Sequence, residues 1–382
     1  MRRLWTDHVI WTRMYVVAAA AGAPVSERLV SALGDVVGTI APPLGGIVST
    51  IGDGDAAAVR LLKNQEDIGN AVVPFYGAAA GKKLTALLKE HILIAVELVA
   101  AARDGDTARF EREDAKWSKN AEQIAEFLSA ANPHWSKADL VDLLAQHLAL
   151  TKQEASARLA QNWPADIEMF DQLFTEILTV AEALSTGLIK QFPDRLAGSN
   201  GTTPAALSLR LALARLWADH VIWTRQYILS ALAGTPDAEP VAARLLKNQD
   251  DIGAAVVPLY GAEAGRALTD LLKRHITIAV DIIDAAKNSD DARFKAANQE
   301  WDRNVEEIAA FLSSANPNWP QADLVDLLRQ HLNLTRNEVT ARLHKKRADE
   351  VEAFDQILTE ILTVSDTLAS GIVKQFPDKF VQ

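Results

Sequence analysis

The chain contains no cysteine. That single absence removes disulfides, thiolate metal ligands, cysteine-held iron–sulfur clusters, covalently attached c-type haem and cysteine nucleophiles. Glycine and proline are sparse, 19 and 14 among 382 residues, while alanine and leucine are abundant; this balance favours helix over sheet. Positive charge is not in excess either. With 39 basic and 50 acidic residues the formal charge is −11, which argues against a duplex nucleic-acid partner, because neutralising phosphates needs a basic face. The local run HKKR at 344–347 reads as a solvated helix surface.

Several catalytic signatures are missing as well. The sequence has no G-x-S-x-G, no phosphate-binding glycine loop and no dinucleotide fingerprint,. It has no E-x-x-H of the carboxylate di-iron bundles and no H-E-x-x-H, H-x-x-x-H or H-x-x-x-E,. The opening MRR, followed by MYVVAAAAGAP, has a faint look of a signal peptide,. Asp7, His8 and Arg13 interrupt it, and QYILSALAGTP repeats the stretch deep inside the chain. A structural helix explains both occurrences, so an unprocessed cytoplasmic chain without a transmembrane helix is expected.

What is present is a repeat. LWTDHVIWTR (4–13) returns as LWADHVIWTR (216–225), and RLLKNQEDIGNAVVPFYG (60–77) returns as RLLKNQDDIGAAVVPLYG (244–261). The later correspondence continues to GLIKQFPD and GIVKQFPD near the two ends. The offset falls from 212 to 184 between the first two matches, so copy one carries 28 extra residues. This predicts copy one over 1–197, a linker over 198–203 and copy two over 204–382. The extra material is expected to form an apolar hairpin at about 26–53, bent at Pro42-Pro43, with arms too short to span a bilayer at ~20 helical residues,.

Each copy reads as helix throughout. LTALLKEHILIAVELVAAA places Leu84, Leu87, Leu88, Ile92, Ala95, Leu98 and Val99 on an i, i+3, i+4 stripe,. Asn132-Pro133 stops the helix that carries Trp117 and Ile124, and Thr203-Pro204 makes an N-cap and first turn,. A short helix over ADLVDLLAQHLAL is predicted next. Thr151 with Glu154, and Thr335 with Glu338, match the capping box that opens a further helix,. The expected class is all-α, two tandem homologous helical bundles, four-helix-bundle-like with additional short helices.

The strings W-x-D-H-V-x-W-T-R, R-L-L-K-N-Q-x-D-I-G, P-x-Y-G, L-L-K-x-H-I and K-Q-F-P-D resemble a family of small uncharacterised bacterial helical-bundle proteins, over nearly all of both copies. The resemblance implies the fold and no particular activity. Members look like single copies, so the tandem form and the insertion depart from the pattern.

Polar residues recur on the apolar faces. His8, Asn64, Gln65, Asp67, His91 and Asn120 fall at or near buried stripes, and copy two supplies His220, Asn248, Gln249, Asp251, His275 and Asn304. A hydrogen-bonded polar layer is the commoner use of such groups, since an unpaired buried one costs about 1–3 kcal/mol. The alternative makes His8, His91 and Asp67, with His220, His275 and Asp251, ligands of a divalent metal. Trp5, Trp11, Trp217 and Trp223 are aromatic candidates for lining such a pocket, although core anchoring is commoner. His147 and His331 are read as lying near the ends of short helices, in a capping role. His134 and His344 have no counterpart in the other copy.

The functional expectation is a non-catalytic binding or interaction protein, with residues 26–53 mediating self-association or, second, a membrane-interface contact. No cofactor is required by it. The alternative is a metal- or small-ligand-binding bundle with one buried His/Asp/Gln pocket per copy.

Overall fold

The computed structural model describes residues 1–23, 25, 52–196 and 203–381. Among them every regular element is a helix, and no helix is long and apolar enough to cross a membrane. The expected apolar hairpin lies, from residue 26 to 51, outside the described residues. The chain divides into two compact units, Met1–Ser199 and Asn200–Gln382.

In the first unit α1 (Arg2–Ala20) packs on α2 (Asp53–Asp104) and on α5 (Trp163–Gln191). Between them α3 (Thr107–Ala131) joins α2 to α4 (Lys137–Leu159), and α4 closes onto α5, so the helices form a ring around one core. A short α6 (Pro193–Leu196) follows. The second unit uses α7 (Pro204–Ala233), α8 (Ala238–Lys287), α9 (Asp291–Ala315), α10 (Gln321–Leu343) and α11 (Arg347–Gln375) in the same packing order. Helix starts carry the expected chemistry: Asp106, Asn162 and Thr203 accept from the backbone N–H three residues on,. Trp11, Phe170, Phe174 and Ile10 are among the most enclosed core side chains.

The run labelled α2 is two helices in succession, separated by a break at Gly77 in P-x-Y-G. There φ is 84° and ψ is 166°, a conformation open to glycine and costly for any residue with a Cβ. The break folds residues 53–76 back against 78–104, and a Cβ at Gly69 would stand 2.7 Å from the Gly81 carbonyl oxygen. It would also stand 1.9 Å from Thr85 Oγ1, so Gly69→Ala must displace both the Thr85 side chain and the facing backbone. It should destabilise the chain by about 1–3 kcal/mol, read as a lower urea midpoint with an unchanged slope.

One boundary differs from expectation, at the capping boxes. Thr151 and Thr335 open no helix; each hydroxyl donates to the carbonyl one turn back, His147 O at 2.9 Å and His331 O at 3.0 Å. The short helix and its successor are thus continuous, in α4 and again in α10. The same threonine chemistry satisfies a backbone group inside a helix that elsewhere begins one. This moves His147 and His331 from presumed helix ends to helix middles.

Candidate metal centre

Three helices of the first unit each deliver one imidazole to the same place. His8 comes from α1, His91 from the second half of α2, and His147 from α4, and each is only 3 % exposed. Ring centroids lie 5.4 Å apart for His8–His147, 6.2 Å for His8–His91 and 6.3 Å for His91–His147. One nitrogen from each ring falls within 4.8 Å of the others. No hydrogen bond joins the three rings among the described residues.

The outer partners fix which nitrogens face inward. The Asn120 amide donates to Leu87 O at 3.1 Å, which orients its Oδ1 to accept from His91 Nδ1 at 2.9 Å. Glu176 on α5 accepts from His147 Nδ1 at 3.1 Å. In both rings Nδ1 therefore carries a proton, and in the neutral form of either ring Nε2 keeps its lone pair. His8 differs: Gln65 Nε2, which also donates to Leu61 O and to the Asn64 side chain, donates to His8 Nδ1 at 3.3 Å, so the neutral His8 ring carries its proton on Nε2 and has to release it to ligate there,. An imidazole whose Nδ1–H is anchored by a carboxylate or amide is the usual arrangement behind a metal-bound Nε2.

Electrostatics points the same way. Burial, then the neighbouring His147, lowers His91 to about 3, with Asn120 opposing. Burial also lowers His8 well below the ordinary histidine value, followed by His147 and His91. Both rings are thus held neutral, the form that ligates. The Glu176 carboxylate, 5 % exposed, has no Lys or Arg partner among the described residues, and its Oε1 has no hydrogen bond. Its one facing polar group is the His147 ring, and a metal held by that ring would place a positive charge behind it.

The second unit repeats the arrangement. His220, His275 and His331 converge with centroid separations of 5.6, 6.3 and 6.4 Å. Gln249, Asn304 and Glu360 stand at 3.3, 2.8 and 3.0 Å from their respective Nδ1 atoms. Burial lowers His275 to about 3 as well, with His331 adding to it.

Most of the sequence candidates meet here, but not all. Asp67 and Asp251 point outward, more than a third of each side chain exposed, and pair with Lys63 and Lys247. The expected ligand triad is corrected accordingly: the third ring-facing group is His147, or His331, and the aspartate takes no part. Asn64 and Asn248 brace their glutamines while donating to Leu4 O and Leu216 O. Trp5 and Trp217 set their edges against His8 and His220. Trp11 and Trp223 lie under the Arg60 and Arg244 guanidinium groups, so they anchor the core and do not line the centre. Trp117 and Trp301, unassigned in the sequence, pack on His91 and His275 at 5.1 and 5.2 Å. Glu176 was legible in principle as the lone acid among Phe170, Leu173, Phe174 and Ile177, a stripe that is otherwise apolar.

No family model, no curated protein and no solved structure matches this chain.

Proposed function

We propose that the protein binds a divalent transition metal in two three-histidine centres, His8/His91/His147 and His220/His275/His331. The chain is, on this reading, a duplicated helical bundle of the uncharacterised bacterial type its motifs resemble, with one centre per copy. What carries the reading is the convergence of three buried imidazoles in each unit, their ligand nitrogens within 4.8 Å of one another, with Nδ1 of two rings anchored from outside by Asn120 and Glu176 or by Asn304 and Glu360. Neutral imidazoles at this spacing suit Zn(II), Co(II), Ni(II) or Cu(II) over the hard, oxygen-seeking cations. The self-association or membrane-interface contact expected of residues 26–53 rests on the composition of that segment and is a separate proposal.

Elemental analysis decides it. Full-length protein stripped of metal, incubated with excess Zn(II) and desalted, should retain two equivalents per chain. His147→Ala/His331→Ala should retain none, whereas Asp67→Asn/Asp251→Asn should keep both. A wild-type protein without stoichiometric metal, or a histidine double variant that still holds it while folded, returns the trio to a purely structural polar layer.

A further inference from the structure

We infer that Gln65 and Gln249 are positioning residues that set how readily each centre takes a metal. They hold His8 and His220 in the tautomer whose Nε2 carries the proton, and the unloaded centre closes around one water molecule. What concerns metal here rests on the reading proposed above; the tautomers and the water do not.

Two backbone carbonyls fix the orientation of the glutamine, because a carbonyl can only accept. Leu4 O accepts from the Asn64 amide at 2.9 Å, which turns Asn64 Oδ1 toward Gln65. One end of the Gln65 amide lies 2.8 Å from Leu61 O and 3.1 Å from that Oδ1. Only the nitrogen, Nε2, suits a position between two acceptors. It also stands 3.3 Å from His8 Nδ1, where a protonated Nδ1 would set one N–H against another. His8 is therefore the ring whose proton sits on Nε2, facing the other two. The second unit repeats each link. Asn248 donates to Leu216 O at 2.9 Å, and Gln249 Nε2 lies 2.9, 3.0 and 3.3 Å from Leu245 O, Asn248 Oδ1 and His220 Nδ1.

The first centre thus presents one inward donor and two inward acceptors, the Nε2 atoms of His91 and His147 in their neutral forms, and the second presents the same set. Water is complementary to it, accepting one hydrogen bond and donating two. Three nitrogens no more than 4.8 Å apart share a point within about 2.8 Å of each, the length of such a bond. In the first unit a cavity of ≈ 20 Å³ touches all three rings, room for about one water.

A metal held by all three rings needs three lone pairs. It displaces the water, and His8 gives up the proton on Nε2 while taking one at Nδ1, so none is released overall. Gln65 must then turn its amide to let Oε1 accept from Nδ1–H. That oxygen is enclosed and has no hydrogen bond among the described residues, and Gln249 Oε1 matches it. The turn sets oxygen against Leu61 O and Asn64 Oδ1, so the glutamine opposes metal entry.

The test uses the full chain with isotope-labelled histidine, whose ring-nitrogen resonances report which nitrogen carries the proton. In metal-free protein, two of the six rings of the trios should carry it on Nε2 alone, and the others should carry one on Nδ1. Zinc should move those two to the Nδ1–H signature. Gln65→Met/Gln249→Met removes the opposing donor and should tighten zinc roughly fivefold or more, whereas loss of a residue that merely packs would weaken zinc or leave it unchanged. Gln65→Leu/Gln249→Leu is the second pair and replaces the first if that does not fold. Metal-free wild type with a proton on Nδ1 of all six rings overturns the tautomers. Zinc affinity unchanged or weakened in the folded variants, or zinc bound while two rings keep the Nε2 proton, overturns the role of the glutamines. Wild type that shows the two Nε2–H rings but takes up no zinc overturns the metal reading and leaves the tautomers standing.

Discussion

Removing bound zinc with a chelator should lower the thermal unfolding midpoint by roughly 8–16 °C, and restoring the metal should bring it back. The physical basis is that the centre does not exist in the unfolded chain. His8, His91 and His147 lie on three helices that meet only in the folded unit, so the binding free energy is folding free energy. Free metal a thousandfold above its dissociation constant stabilises by about 4 kcal/mol. In a unit of this size each kcal/mol moves the midpoint by ~2–4 °C, which gives the range above. Circular dichroism at 222 nm is a suitable measurement because the described residues are almost wholly helical. His147→Ala/His331→Ala should make the midpoint indifferent to zinc. An equal midpoint for stripped and loaded wild type would mean that the trio holds no metal worth the name.

Arg13→Met should cost about 3–5 kcal/mol, because it leaves buried carboxylates without their principal cation. The Arg13 side chain is fully enclosed on α1. It donates to Glu154 of α4 at 2.7 Å and, with both terminal nitrogens, to Asp166 of α5 at 3.1 and 3.0 Å. Arg158 reaches the same aspartate at 3.3 Å, and the Phe170 ring lies 4.7 Å from the Arg13 guanidinium carbon. Arg225 repeats the cluster on Glu338 and Glu350.

The cluster ties α1 to α4, the two helices that bring His8 and His147 together, so its loss should also weaken zinc at the first centre and leave the second unchanged. Arg13→Met/Glu154→Met removes one charge of each sign, keeps the Asp166–Arg158 pair and should recover most of the lost stability. Urea unfolding of the three proteins checks both statements. A single variant within about 1 kcal/mol of wild type would show that the surrounding groups rehydrate, against the enclosure described here.

Much of the centre could be read before any coordinates. Of the eight histidines in the chain, only His134 and His344 lack a counterpart in the other copy, and the remaining six are the two trios. Helical periodicity likewise turned His8, Gln65, His91 and Asn120 toward the interior. Asp67 was misjudged because it lies two residues beyond Gln65, and two residues is ~200° around a helix; the turn that buries one exposes the other. His147 was misjudged for a different reason. Its helix was taken to end near Leu150, which made the ring a terminal group, whereas the chain runs on as helix to Leu159.

The amino-acid order by itself determined that the chain is helical, that stretches of its two halves correspond in sequence, and, with Asp67 and Asp251 excepted, which of the polar candidates face inward. Periodicity and composition carry those facts locally, through the 3.6-residue turn and the absence of strand patterns. Only the tertiary structure decided what those side chains face. The break at Gly77 folds the helix carrying Gln65 back against the helix carrying His91, and the unbroken α4 lifts His147 to their level. Glu176, far along the chain, is brought behind that ring by the closure of α5 on α4. A one-dimensional pattern gives a residue its direction. Distance between residues on different helices comes from packing, and a metal site is made of distances.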